Sequence, residues 1–327
     1  MSKNNFSNLE KTENKIKSLE IQGASKIERS VEEAIIKDLT KNKSGDLKDL
    51  KKGLVKTLGK IWMLRPTEPA LRSFIYYLYV LIMQDSSKDS ESFVKKVIKF
   101  TKRDLQESEK GKKIIAESFV DMFDKEVVVF THCHSHTVEY CIEKLADVGL
   151  LDYVINTETR PAFQGRITAK NLVEKGIKVK HVVDSGAYQM MDKADVFISG
   201  CDSILSNGSI INKIGTTQIS MIAEKFNVPH YVLTHMDKFD PLSLYGSEPN
   251  LDKRNPAEVW DYKNKNLEII NNAFDLVPSY LIQQIITDKG NFDPYGIGNY
   301  YLKQVDVHKF KEVFDMFSKG CWYEKSL

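Results

Sequence analysis

The sequence predicts an α/β protein in which an N-terminal helical domain precedes a doubly wound parallel sheet. Three observations carry this. From about Leu9 to about Ser118 apolar residues recur at spacings of three and four, the period of an amphipathic helix, and strand-like runs are nearly absent. From "KEVVVFTHC" onward short β-branched runs alternate with helical stretches, the β-α-β grammar of a parallel sheet covered on both faces. At 327 residues the chain also exceeds the roughly 250–300 residues at which single cores stop growing. The expected domains are 1–120, helical, and 121–327, α/β.

The helices expected in the first half are "LEKTENKIKSLEI", "SKIERSVEEAIIKDLTK", "LKKGLVKTLGKIWML", "LRSFIYYLYVLIMQ" and "ESFVKKVIKFTKRDLQES". Pro66 and Pro69, in "RPTEP", mark one turn between them, and "SSKDSES" marks another. The strands expected in the second half are "EVVVFTHC", "DYVINTET", "KVKHVVDS", "DVFISGCD" and "PHYVLTHM". "YLIQQIITDKG" supplies one more, although "SYLIQQI" fits a helix equally well, and "VDVHKFKEVFDMFSK" reads as a closing helix.

Composition sets limits on function. With 42% apolar and 28% charged residues the chain can bury a core, and a net charge of +2 gives no global pull toward nucleic acid or an anionic membrane. The longest greasy run, "FIYYLYVLIM" at 74–83, is about half of what spans a bilayer, and the first residues lack the apolar stretch of a secretory signal. Four scattered cysteines, Cys133, Cys141, Cys201 and Cys321, make no disulfide framework, so a reducing cytoplasm is the expected compartment.

In an open parallel sheet, ligands bind at the carboxyl ends of the strands. Five successive strand ends carry polar groups: Cys133, then Glu158 and Arg160, then Asp184, then Asp202, then Thr234 and His235. His132, His134 and His136 alternate and would share a face if the strand ran through them, a possible metal arrangement. Yet "SHTVEYCIEKLADVG" starts a helix, with Ser135 as its N-cap, so the histidines are expected to diverge and to hold no metal. Cys133, between a strand end and a helix N-terminus, meets the positive end of the helix dipole, which favours thiolate; a buried inert thiol is the alternative. Cys141, inside a helix, and Cys201, inside a strand, read as packing residues. Asp202, at the end of a buried strand, suits an acid role as well as it suits a cap. Beyond it, Asn212, Lys213, Gly215 and Thr216 could cradle a phosphate at the next helix start.

"THCHS", "TETRPAFQGRITAKNLVEKGIKVKHVVDSGA", "GCDSILSNGSIINKIGTTQ", "DKFDP" and "NNAFDLVPSYLIQQIITDKG" resemble the ribose-1,5-bisphosphate isomerases of archaea. Those belong to a superfamily with methylthioribose-1-phosphate isomerases and regulatory subunits of the translation initiation factor 2B complex. The resemblance runs from about Lys15 to about Pro294 and is densest between Thr131 and Lys238. It implies a helical domain followed by a Rossmann-like domain. It also implies Cys133 and Asp202 as catalytic pair, with Gln22, Gly23, Ala24, Arg65, Arg160, Gln164, Asn212, Lys213 and Lys238 around the substrate. The implied ligand is a phosphorylated pentose, with no metal, no redox cofactor, and a homo-oligomer of two or more subunits. Rival readings are a methylthioribose-1-phosphate isomerase and a non-catalytic subunit that binds sugar phosphates or nucleotides.

Three departures stand out. Gln22 replaces the family's usual arginine before Gly-Ala, and a lost charge-assisted hydrogen bond costs about 1.5–3 kcal/mol, roughly 10- to 150-fold in affinity. Lys26 or Arg29 could compensate. "THMDKFDP" differs from the usual Glu-Thr-Tyr-Lys-Phe, and Cys201 stands where alanine is usual before the aspartate.

Overall fold

The computed structural model describes residues 6–18, 20–21, 23–42, 45–64, 68–246, 251 and 253–320. They fall into two compact units, the described residues of 1–109 with those of 304–327, and the described residues of 110–303. The helical unit begins with α1 (Ser7–Lys17), α2 (Ala24–Lys41), α3 (Leu47–Trp62) and α4 (Pro69–Met83), and α5 (Ser90–Val120) crosses the division. The helices start where local chemistry allows: Asp46 caps α3 by accepting from the Asp49 N–H at 2.9 Å, and Pro69, which has no N–H to lose, opens α4. Asp38 of α2 accepts from the backbone N–H groups of Asn8 and Leu9 at 3.0 and 2.9 Å, which fastens α1 to α2.

The sheet unit runs β1 (Val127–Thr131), α6 (His136–Asp147), β2 (Leu151–Thr157), α7 (Gln164–Glu174), β3 (Val179–Val182), α8 (Ala187–Met191) and β4 (Val196–Ser199). It continues β5 (Ser203–Ile204), β6 (Ile210–Lys213), α9 (Thr216–Lys225), β7 (His230–Leu233), β8 (Phe274–Val277), β9 (Gln284–Thr287), β10 (Gly290–Phe292) and α10 (Ile297–Leu302). The large sheet has the order β10-β9-β7-β4-β1-β2-β3, parallel except for β10 against β9. From β1 the chain builds outward to β2 and β3, then returns to lay β4 on the other side of β1. The strand order therefore reverses between β1 and β4, the point at whose strand ends open α/β sheets bind ligands.

Both faces are covered, and β1 is buried at every position, four of its five residues being apolar. Val127 and Val129 pack among Ile115 and Phe119 of α5 and Val138 and Ile142 of α6. Val128 and Phe130 point the other way, among Ala187 and Met191 of α8 and Ile219 and Ala223 of α9. A second, antiparallel sheet of order β5-β6-β8 projects beyond β4.

The expected strands all form; "YLIQQIITDKG" supplies β9, and the antiparallel β10 begins at its last residue. The two compact units divide the chain elsewhere than the expected 1–120 and 121–327. The closing helix α11 (Val307–Ser318) belongs to the helical unit, because its Phe310 and Phe317 rings lie 5.9 and 5.0 Å from the Trp62 ring at the end of α3. Conversely Ile115, Ala116 and Phe119, late in α5, are buried in the core of the sheet unit. Cys201 lies just past β4 rather than within it. Among the described residues no helix is long and apolar enough to cross a membrane.

Candidate active site

Cys133 sits two residues past β1, 9% exposed, with φ of +70°, a left-handed backbone that costs a side-chain-bearing residue about 1–2 kcal/mol. Both of its backbone polar groups are held by threonines. Its N–H donates to Thr159 Oγ1 at 3.0 Å, and its carbonyl accepts from Thr168 Oγ1 at 2.9 Å. Its thiol reaches Gln164 Oε1 at 3.6 Å. Burial pushes that thiol up to about 11; Asp202 and Asp184 add to the effect, while Lys213 and the His134 N–H oppose it. This corrects the expectation of a dipole-stabilised thiolate. Ser135 does cap α6, accepting from the Val138 N–H at 3.4 Å, but enclosure of the sulfur outweighs the helix end.

Asp202 follows β4 and enters the small sheet, its N–H donating to the Ile211 carbonyl at 2.8 Å. It is half-buried, not enclosed. The ends of β1 and β4 approach closely: a Cβ on Gly200 would lie 3.0 Å from Ser135 Oγ, so a larger residue would need the Ser135 side chain to give by a few tenths of an ångström. Lys213, at the end of β6, is 9% exposed, lies 4.7 Å over the Phe274 ring and has no carboxylate partner among the described residues. Lys238 donates to the Cys201 carbonyl at 2.8 Å, directly beside Asp202. One buried thiol, one carboxylate and two lysines thus gather at the strand ends where the sheet order reverses.

The expected phosphate cradle at the start of α9 is already filled. Asp275 of β8 accepts from the N–H groups of Gly215 and Thr217 at 2.9 and 3.3 Å, and Asn212 donates to Thr216 Oγ1 at 3.0 Å. Asp275 Oδ1 is buried with no hydrogen-bond partner among the described residues, and burial pushes the carboxyl up to about 6.

The model of the initiation factor 2 subunit family matches residues 20–294. The chain belongs to that family. A ribose 1,5-bisphosphate isomerase of Pyrococcus furiosus is 35% identical over 86% of this chain and 89% of its own length. A protein of the same name from Methanocaldococcus jannaschii is 31% identical over 88% and 92%. A methylthioribose-1-phosphate isomerase of Thermotoga maritima is 28% identical over 85% and 84%. The fold is that of a solved 5-methylthioribose 1-phosphate isomerase from Pyrococcus horikoshii, with a TM-score of 0.77 at 22% identity over 95% of this chain and 88% of that one.

Within this family member, the residues expected around the substrate fall into three groups. Cys133, Gln164, Asp202, Lys213 and Lys238 gather as described, with Asn212 adjoining Lys213. Arg160 is exposed, its guanidinium donating to the Val259 carbonyl at 3.2 Å and lying 5.1 Å over the Phe163 ring. Gly23 and Ala24 open α2 in the helical unit, whereas Gln22 and Arg65 lie outside the described residues. Of the two suggested substitutes for the missing arginine, Arg29 is engaged by Glu33 and Glu109, each at 3.3 Å, and Lys26 is exposed.

The histidines part company, but not as expected. His132 is buried, bonded to Thr157 Oγ1 at 2.5 Å and the Ile214 carbonyl at 2.9 Å, and burial lowers its pKa. His134 and His136 stay together, rings 4.8 Å apart, and with Glu139 they offer three ligand atoms within 4.8 Å of one another. Hydrogen bonds of His134 to Glu139 at 2.9 Å and of Asn171 to both Glu139 oxygens at 3.2 Å already knit that cluster. Sequence reasoning passed over Thr159 and Thr168. Their only signal was position, in the "TETRP" and "GRITA" stretches flanking the start of α7.

Proposed function

We propose that this chain is an aldose-ketose isomerase that converts ribose 1,5-bisphosphate to ribulose 1,5-bisphosphate, with Cys133 and Asp202 as catalytic pair. The observation that carries the reading is a buried thiol and a half-buried carboxylate at the sheet's switch point, beside a buried lysine lacking a carboxylate partner among the described residues. The relatives named ribose 1,5-bisphosphate isomerase, matched along most of both chains, support it.

The chemistry explains the need for such a pair. A phosphate on C1 blocks the free aldehyde, so the ring must be opened by an acid before isomerisation can start. Asp202 donates its proton to the ring oxygen as the bond to C1 breaks. The Cys133 thiolate removes the C2 proton, and an enol forms between C1 and C2. The thiol then returns that proton to C1, while the C2 hydroxyl proton passes back to Asp202 and the ketone forms. Protons balance and both groups end as they began. The acid form of Asp202 and the thiolate of Cys133 belong together, because neutral Asp202 no longer adds a negative charge beside the sulfur. Lys213 favours the thiolate and meets phosphate or the developing oxyanion.

The working form is proposed to be a homo-oligomer, to be read by light scattering. The test of function is incubation of purified protein with the α-anomer of ribose 1,5-bisphosphate, followed by phosphorus NMR, with methylthioribose 1-phosphate in parallel. Ribulose 1,5-bisphosphate from the first alone is the expected result. Turnover of the second alone would assign the methylthioribose reading that the Thermotoga maritima relative favours. No turnover of either by folded protein would refute both.

A further inference from the structure

The residues that hold Cys133 form a chain of buried hydrogen bonds leading away from the site. Thr159 is fully buried and, like Cys133, is left-handed, with φ of +62°. Its hydroxyl accepts the Cys133 N–H, and its own N–H donates to Asp184 Oδ1 at 2.8 Å. The Arg160 N–H donates to the second oxygen of the same carboxylate at 2.7 Å. Asp184, just past β3, therefore clamps residues 159 and 160 with both oxygens.

A second arm reaches the Cys133 carbonyl through Thr168, one turn into α7. The register of that helix is fixed against β2. Asn156 donates to the Gly165 carbonyl at 2.7 Å, and a Cβ on Gly165 would lie 1.8 Å from the Thr157 carbonyl oxygen. His181 of β3 completes the arm by bonding Asn156 Oδ1 at 2.8 Å.

We infer that Thr159, backed by Asp184, and Thr168 are positioning residues that hold the Cys133 backbone in its left-handed conformation and so aim its sulfur into the site. The inference rests on the proposed catalytic role of Cys133. A side-chain-bearing residue stays in that backbone region only where its surroundings over-determine it. Here both peptide groups of Cys133 are pinned by hydroxyls that are themselves buried and fixed from other elements. None of these three residues touches the reacting atoms in this scheme. The charged groups that act on the sulfur are Lys213, Asp202 and Asp184, and His132 lies 3.9 Å from Asp184.

The test compares Thr159→Val, which keeps shape and loses the hydroxyl, with Thr159→Ser, which keeps the hydroxyl. Two readouts are used: steady-state kinetics on ribose 1,5-bisphosphate, and the rate of iodoacetamide labelling of the Cys133 peptide by mass spectrometry. Thr159→Val is expected to lower kcat about 10- to 100-fold with KM held within about twofold, since a displacement of about 1 Å at a reacting group costs that much. Labelling of Cys133 should speed up as the residue relaxes toward solvent, and Thr159→Ser should restore both values. Wild-type kcat and wild-type labelling in folded Thr159→Val would overturn the inference. Should Thr159→Val not fold, Thr168→Val puts the same question through the carbonyl arm. Cys133→Ser separates the two ideas. If it retains turnover, the catalytic assignment fails, and labelling alone then decides whether Thr159 positions the sulfur.

Discussion

Replacing Lys213 with methionine tests the site through two quantities that should move in opposite directions. Lys213 is 9% exposed, without a carboxylate partner among the described residues, and its ammonium lies 4.7 Å over the Phe274 ring. A buried ion carries a desolvation penalty of several kcal/mol, whereas a cation–π contact returns only about 0.5–2 kcal/mol. Methionine has similar length and no charge, so Lys213→Met should stabilise the empty protein by on the order of 1–2 kcal/mol. For a unit of 150–250 residues that is a rise in Tm of about 2–8 °C. The substrate, in contrast, loses a charge-assisted hydrogen bond worth about 1.5–3 kcal/mol, and KM should rise roughly 10- to 150-fold. Lys213 also lowers the Cys133 thiol, so kcat should fall as well. Calorimetry and phosphorus NMR on the same preparations read both quantities. A lower Tm with unchanged KM would refute the reasoning, because it would make Lys213 a packing residue.

Cys133→Ser and Asp202→Asn should each remove turnover and leave the melting transition intact; near-normal turnover in either would sink the mechanism. At pH 8 about one Cys133 in 1,000 is thiolate if its thiol sits at about 11, so labelling of the wild-type protein should be far slower than of a free thiol and should still be rising at pH 10. Asp275 has a folded pKa raised from 3.8 to about 6, so its contribution to stability is full below 3.8 and is lost as pH rises through about 6. Asp275→Asn removes that dependence, and its stability relative to wild type should fall by up to ~3 kcal/mol between pH 7.5 and pH 4 in urea melts; an unchanged difference would contradict the burial argument. Phe317→Ala should cost about 3–5 kcal/mol and shift Trp62 emission to the red, since the two rings pack 5.0 Å apart. EDTA should leave turnover unchanged, and a loss that zinc alone restores would make His134, His136 and Glu139 ligands.

The comparison of sequence with structure turns on how far apart the interacting residues lie. Helix periodicity is local, so α1 to α5 were legible from apolar spacing, and the β-branched runs gave β1, β2, β3, β4 and β7 in turn. The small sheet was not legible. β5 is two residues long, β6 and β8 four each, and what makes them strands is pairing with one another across distant sequence. α11 shows the same limit from the other side, because its amphipathic pattern declared a helix but not that Trp62 would receive its aromatic face.

The candidate site divides in the same way. The sequence by itself placed Cys133 and Asp202 at the ends of strands and supplied the motifs of the family, because a strand's end is marked by the residues on either side of it. Only the tertiary structure decided that β4 lies beside β1, which brings that thiol and carboxylate to neighbouring strand ends. It also decided that burial pushes the thiol's pKa up and that Asp275 occupies the amides at the start of α9. Each of those depends on which groups, far apart in the chain, exclude water from one another, and burial of that kind is a property of the assembled fold.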